Sequence, residues 1–595
     1  MGKLSAVLIN NILEITAEHG GGRFFDARDS ESLAEALSGI LADIKSEDVL
    51  FTTSPARASA FNMLLNSEDI YYPMFKLTQD GKWLGNLKKY RIGEDNQIYD
   101  ANGALAIDPD TGFFKDTAKS FWSSNVDGKM VEAGGMAEKL LSTRPVFTNL
   151  SGSQDTPLNI EANHFKETNP AITNSLLGTV NAAKTRKLIH WALGVDVGDE
   201  NNNGARDDDR KSMGDIIHSQ PTPVIYFKDQ TSGTVDKTVF VSTNDGFLHS
   251  VNDATGVTEF SFIPTDLLGN LKKYRDGIDP GSLAKQYGLD GSMSVWINDL
   301  NQDGDVLQDS HGTPDDNEHV YLYLTMRRGG NNIYALDVTR RSSPILKWVI
   351  RGGQAGSDFT RLGQTWSTPQ LASVKWNGTT QTVLFFAGGY DTAIDGQARI
   401  QSNSTGNAVF MVSAATGRLL WKASSSNAHL NVPGMNYSIP ADLTLLDLNQ
   451  SGTIDTIFGA DTGGQIFRID INEENTLASN FASGGIIASL SGGSTRDARR
   501  FFEPVTAVVG KDPLYLNIAL GSGFRPSPLS TSTRNRVYVI KTPNRPLSQT
   551  YFSSNSPLSE ASLFDVTSNL IQSGTGEQQA SAQAALNNSH GLSSR

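Results

Sequence analysis

The chain has 595 residues, a formal net charge of −14 at pH 7, 56 glycines, 22 prolines and no cysteine. The lack of cysteine excludes disulfides, thiolate zinc sites and cysteine nucleophiles, and the negative charge opposes nucleic acid, whose capture rests on cations that neutralise phosphates. The length implies two or three domains with large cores, and no stretch approaches the ~20 apolar residues of a membrane-spanning helix.

The first element is helical. Leu33, Leu37, Ile40, Leu41 and Ile44 recur at three and four along residues 30–44, the spacing of one helix face. It follows a glycine-rich turn at Gly20–Gly22, so residues 1–48 read as a small mixed α/β segment. Residues 49–185 mix apolar runs with turns and one helix near Ala137–Leu141, a connecting β-rich region that joins a larger sheet domain or packs on it.

Over residues 186–545 one pattern recurs: an apolar strand, a glycine turn and a second strand. It occurs at Thr238–Asn252, at Val320–Leu324 with Gly330–Asp337, and at Val383–Ala387 with Gly406–Ser413. It occurs again at Thr456–Asp470, and at Leu514–Gly521 with Arg536–Ile540. Pro221, Pro369, Pro440 and Pro504 each open an apolar run ahead of such a hairpin, and proline is tolerated at a strand's first residue. Ala254-Thr-Gly256 and Ala415-Thr-Gly417 close two of the units. The fold class is therefore mainly β, a modified β-propeller of about seven blades. Long insertions are required, because the glycine turns lie roughly 60 to 85 residues apart against ~40 to 50 in compact propeller repeats. Residues 546–595, rich in Ser, Asn, Gln and Ala, are expected to be poorly ordered or cut short.

Three loops carry the spacing that wraps backbone around a hard cation: oxygen-bearing side chains at positions 1, 3 and 5, glycine at 6, a carbonyl at 7 and a closing carboxylate. The first choice is Asp447, Asn449, Ser451, Thr453 and Asp455. Asp199, Asn201, Asn203, Ala205 and Asp207 come second; Asp299, Asn301, Asp303, Asp305 and Asp309 come third, with Asp305 or Asp309 as its closing carboxylate. The cation implied is Ca²⁺. None has glutamate at position 12, so none is a full EF-hand, and the neutral Ser451 and Asn203 at position 5 lower the expected affinity. Turn-forming Asp, Asn and Gly on a solvated surface are the simpler reading of the same runs.

Catalysis has no sequence support. The nine histidines are scattered, and neither His-Glu-x-x-His nor Gly-x-Ser-x-Gly occurs. His218 and His249 read as structural, Trp366 and Trp421 as blade core.

The segment Asp447–Asp470 resembles the calcium loop and following hairpin of the PilC/PilY-type type IV pilus biogenesis factors and tip adhesins. Met213–Pro221, Ser242–Asn252, Trp83–Tyr90 and Asp127–Gly135 are similar to other stretches of that family. The resemblance implies that residues 1–48 are the remnant of a von Willebrand factor A-like domain, and that an export signal is missing from the chain. It further implies a non-enzymatic, calcium-binding protein exported to the outer membrane and pilus tip. There it would meet pilins, minor pilins and a host-cell or surface receptor, oppose retraction, and support adhesion and twitching motility. Two rival classes remain: a quinoprotein-like propeller dehydrogenase, and a calcium-dependent surface lectin.

Overall fold

The computed structural model describes residues 50–52, 68–78, 81–228, 232–277, 285–306, 318–474, 477–510, 512–587 and 589–594. The helix expected at 30–44 and the candidate ligand Asp309 lie outside them. The chain divides into two compact units, Met1–Phe51 and Thr52–Arg595; the second holds every feature described below.

Within it, strands form six mainly antiparallel sheets in chain order. The first comprises Asp69–Lys76, Leu84–Ile92 and Ile98–Tyr99, with Met213–Gly214 on its edge. The second runs Thr222–Lys228, Val235–Ser242, Leu248–Asn252 and Thr258–Phe262. The third runs Met293–Asn298, His319–Thr325, Asn332–Asp337 and Ile345–Arg351. The fourth runs Gln370–Trp376, Thr379–Ala387, Ala408–Ser413 and Leu419–Ser424. The fifth runs Thr444–Leu446, Thr456–Ala460, Gln465–Ile471 and Ala482–Ser489. The sixth is built on Thr506–Val509, Tyr515–Gly521 and Val537–Pro543.

Pro221 and Pro369 stand one residue ahead of the first strands of sheets two and four, where a missing amide costs no ladder bond. About seven blades are expected from sequence, and six sheets form among the described residues. Part of the remaining strand-like sequence is spent on sheet edges: Val146–Phe147 joins sheet two, Thr156–Pro157 joins sheet three and Leu430–Asn431 joins sheet four. Within the C-terminal segment, Gly591–Ser594 pairs with Val537–Ile540 and Phe564–Asp565 lies on its outer edge in sheet six.

Side chains alternate across each strand, so sheets two to five are apolar on both faces and each packs on the sheet before and the sheet after it. Tyr226, Phe240 and Phe260 of sheet two meet Leu322, Leu324 and Leu336 of sheet three. The opposite face of sheet three, with Tyr323 and Trp348, meets Leu384, Phe386 and Phe410 of sheet four. Phe385 and Trp421 meet Ile457 and Phe467 of sheet five, and Phe458 and Ile466 meet Ile518 and Tyr538 of sheet six. Serial face-to-face stacking of four-stranded sheets is a propeller. The two Ala-Thr-Gly turns serve this packing directly: Gly256 and Gly417 have φ of +73° and +67°, and a Cβ would stand 2.5 Å from Trp122 and 2.6 Å from Trp348.

His249 is core, 1 % exposed, with Nδ1 2.9 Å from Ser261 Oγ and no hydrogen bond to Nε2. Burial, then the nearby Arg144 charge, pushes its pKa well below 6.5. The unfolded chain therefore takes up a proton below about pH 6.5 that the folded chain refuses, and stability falls with falling pH by about 1.4 kcal/mol per unit. Between pH 6.5 and 5.5 the urea midpoint of the wild type should drop more steeply than that of His249→Asn. Parallel pH profiles would reject this assignment.

Candidate metal centre

Asp447 and Asp455 flank the hairpin between the first two strands of sheet five, whose last pair is Leu446 with Thr456. The hairpin curls because Gln450 and Gly452 adopt φ of +58° and +83°. Asp447 accepts the Ser451 amide at 2.9 Å and the Gly452 amide at 2.8 Å; Asn449 Oδ1 accepts Ser451 at 2.9 Å. Asp455 Oδ2 accepts the amides of Leu448 and Asn449 at 2.9 and 3.0 Å. Its other oxygen, Oδ1, is buried with no hydrogen bond, and the residue is only 4 % exposed. Burial pushes this carboxyl above its ordinary range, against the pull of those amides and of the neighbouring Thr456 hydroxyl.

A sixth residue, not anticipated from sequence, reaches the same hairpin. Glu473 accepts from Asn449 Nδ2 and Ser451 Oγ, each at 3.1 Å, and from Thr453 Oγ1. It supplies a carboxylate beside Ser451, the neutral position-5 residue. The signal lay in the pairing: Thr456 opposite Asp470 and the Ile471 amide on the Asp455 carbonyl bring the chain after the next strand back to the loop.

The loop at 299 occupies the same position in sheet three, after Asn298, whose partner is His319. Asp299 Oδ2 accepts the Gly304 amide at 3.0 Å, Asn301 accepts Asp303 at 2.9 Å, and Gln302 and Gly304 have φ of +59° and +81°. The amides of Leu300 and Asn301 go to Glu318 at 3.0 and 3.3 Å, as those of Leu448 and Asn449 go to Asp455. Glu318 thus holds the closing position for which Asp305 and Asp309 are the sequence candidates; residues between them displace it along the chain. Asp305 is engaged elsewhere through its backbone, bridging Phe227 of sheet two. Asp299 Oδ1 is buried without a hydrogen bond.

The loop at 199 repeats the turn: Asp199 accepts Gly204 at 3.1 Å, Asn201 accepts Asn203 at 3.0 Å, and Asn203 accepts Ala205 at 2.7 Å. Here Asp196 receives the second and third amides, from Glu200 and Asn201. Asp207 is exposed. Its neighbour Asp208 faces the loop, accepting from Asn201 and Asn203 at 3.0 and 2.8 Å, and its Oδ1 is the third orphaned buried oxygen.

Three loops in one conformation each retain one buried carboxylate oxygen without a donor, a donor set that suits Ca²⁺. Among the described residues no three histidine or acidic side chains already converge as a cage; the ligands are mixed with Asn, Ser and backbone oxygens. The two hairpins also tie neighbouring sheets. The position-8 amides of Ile454 and Val306 bond at 2.9 Å to Ser373 and Tyr226, each on the first strand of the preceding sheet.

Fold and site together define a β-propeller whose first and second strands, in sheets three and five, are joined through loops of calcium-type spacing. Residues 224–492 match the family model described as the PilY1 beta-propeller domain, in agreement with the resemblance read from the motifs. It is 26% identical over 480 residues to the type IV pilus biogenesis factor PilY1 of Pseudomonas aeruginosa (strain UCBPP-PA14), covering 76% of this chain and 35% of that protein. It is 26% identical over 409 residues to a PilY1 homolog of Xylella fastidiosa (strain Temecula1 / ATCC 700964), covering 65% and 27%. The crystal structure of the Pseudomonas aeruginosa PilY1 C-terminal domain aligns at a TM-score of 0.38 and 18% identity, over 56% of this chain and 62% of that one. The chain spans about a third of the length of the curated relatives it matches. Those relatives are named as pilus biogenesis factors, not enzymes. Among the described residues no helix is long and apolar enough to cross a membrane.

Proposed function

We propose that the chain is the propeller-bearing part of a calcium-binding type IV pilus biogenesis factor. In this reading it promotes pilus assembly, opposes retraction, and supports adhesion and twitching motility at the exported pilus tip, with pilins and minor pilins as partners. The observation that supports it is the buried, undonated Asp455 Oδ1 inside a loop of cation spacing within the PilY1 domain. Asp447, Asn449, Ser451, Asp455 and the Thr453 carbonyl would hold Ca²⁺, and Glu473 would add charge. Bound calcium neutralises the hairpin and so favours the conformation that grips Ser373 of the preceding sheet, biasing one arrangement of the blade junction. The 299 loop, with Glu318, and the 199 loop, with Asp208, are the second and third sites.

Calorimetric titration with Ca²⁺ tests this. Asp455→Ala and Asp447→Ala should each remove one binding event, and Glu473→Gln should weaken the same event about 10-fold. Glu318→Gln should affect a different event. In the intact pilus protein Asp455→Ala should reduce surface pili unless retraction is disabled. Unchanged stoichiometry in both Asp455→Ala and Asp447→Ala would defeat the proposal.

A further inference from the structure

A second site lies at the other end of the sheets. A cavity of about 510 Å³ is lined by His218, Arg327, Arg328, Trp366, Asp395 and Arg525, together with Lys285 and Tyr287. His218 precedes the first strand of sheet two and Trp366 that of sheet four. Arg327 follows the second strand of sheet three and Arg525 that of sheet six. Antiparallel pairing puts the start of a first strand and the end of a second at the same edge, so loops from four sheets converge here. The volume is that of a small-molecule pocket.

Its wall is cationic in a chain of net charge −14. Most of these side chains already have partners: Arg328 pairs with Asp395 at 3.0 Å, Lys285 with Asp215 at 2.6 Å, and Arg525 with Glu503 at 3.1 Å, while His218 Nδ1 lies 2.8 Å from Asp290. Arg327 differs. Its side chain is 13 % exposed, its Nε is buried without a hydrogen bond, and the guanidinium donates none among the described residues. The nearest carboxylate, Asp290, stands 3.9 Å from Nε. Arg327 has φ of +46°, a strained conformation for a residue with a Cβ, and its guanidinium lies 4.4 Å from the Trp366 ring centroid. Trp366 in turn stacks on Tyr390 at 4.3 Å. Strain that holds an arginine against an aromatic face, with its donors unspent, is the arrangement of a prepared anion receptor.

We propose that this cavity binds a small di- or tricarboxylate, with Arg327 as its principal partner and Arg525 exchanging Glu503 for a ligand carboxylate. Several separated cations around aromatic walls suit carboxylates spread over a short carbon frame better than one compact phosphate. The site is independent of the calcium reading and uses none of its residues.

The test is titration of the whole chain, in calcium-free buffer, with succinate, propane-1,2,3-tricarboxylate and inorganic phosphate, followed by calorimetry and tryptophan fluorescence. The tricarboxylate should bind and perturb fluorescence. Arg327→Ala should weaken it about 10-fold or more, and Arg525→Ala, at a half-exposed position, about 2- to 5-fold. Trp366→Phe, which trims the aromatic face under Arg327, should lose the optical signal and weaken the heat. If Arg327→Ala fails to give wild-type near-ultraviolet circular dichroism, Arg525→Ala decides. Absence of binding, equal binding by a folded Arg327→Ala, or phosphate binding as tightly as the tricarboxylate would each overturn the assignment.

Discussion

Asp253→Ala should destabilise the propeller by about 3–5 kcal/mol, the cost of stranding buried charge. Asp253 sits in the turn after the third strand of sheet two, and three side chains converge on it. Lys89 Nζ lies 2.8 Å from both carboxylate oxygens, Lys237 Nζ 3.1 Å from one, and Tyr71 Oη donates at 2.6 Å. Tyr71 and Lys89 are direct cross-strand partners in sheet one, so the cluster fastens sheet one to sheet two. Trp122 adds a hydrogen bond to the Asp253 carbonyl at 2.8 Å and stacks on Tyr71. Removing the carboxylate leaves two lysines, 8 % and 6 % exposed, to share Asp69. Urea unfolding reads the effect as the fall in midpoint multiplied by the wild-type slope. A loss under about 1 kcal/mol would place the cluster among ordinary surface pairs.

Arg468→Ala should cost a similar ~3–5 kcal/mol. The guanidinium is fully buried in sheet five and donates to Asp470 at 2.9–3.0 Å, to Thr542 Oγ1 at 3.0 Å, and to the carbonyls of Pro543 and Arg545 at 2.6 and 2.7 Å. It therefore satisfies the end of a sheet-six strand from inside sheet five. Asp470 is 2 % exposed and would be left with only Thr456 Oγ1 and the Leu547 amide. A double-mutant cycle with Asp470→Leu separates the pair from the carbonyl contacts: Arg468→Met with Asp470→Leu should recover part of the loss. No recovery in the double variant would show that the carbonyl contacts, not the ion pair, carry the effect.

Neither lysine nor arginine was legible as a core residue. The run Trp83–Tyr90 alternates as a strand should, but both of its faces are covered. Asn86 and Lys88 reach Val131 O and Asp127, while Lys89 on the other face reaches Asp253. Alternation reveals which residues share a face; it does not reveal that a polar face meets another element. The proline-started strands and glycine turns were legible because proline and glycine act locally, through φ and the missing amide. The hairpin at 447 was legible for the same reason: its nine residues make their own turn. Glu473 and Glu318 were not, because each is delivered by strand register or across an insertion, and spacing within a loop carries no record of either. Asp208 in place of Asp207 is a one-residue offset that only the closed turn resolves.

The two hairpins at 299 and 447 join the end of a first strand to the start of a second, whereas the cavity beside Arg327 gathers the opposite ends of those strands. Ligands bound at the two ends would not compete for space. A propeller anchored through one end leaves the other open to solvent, so the same molecule is able to be docked and still sample its surroundings.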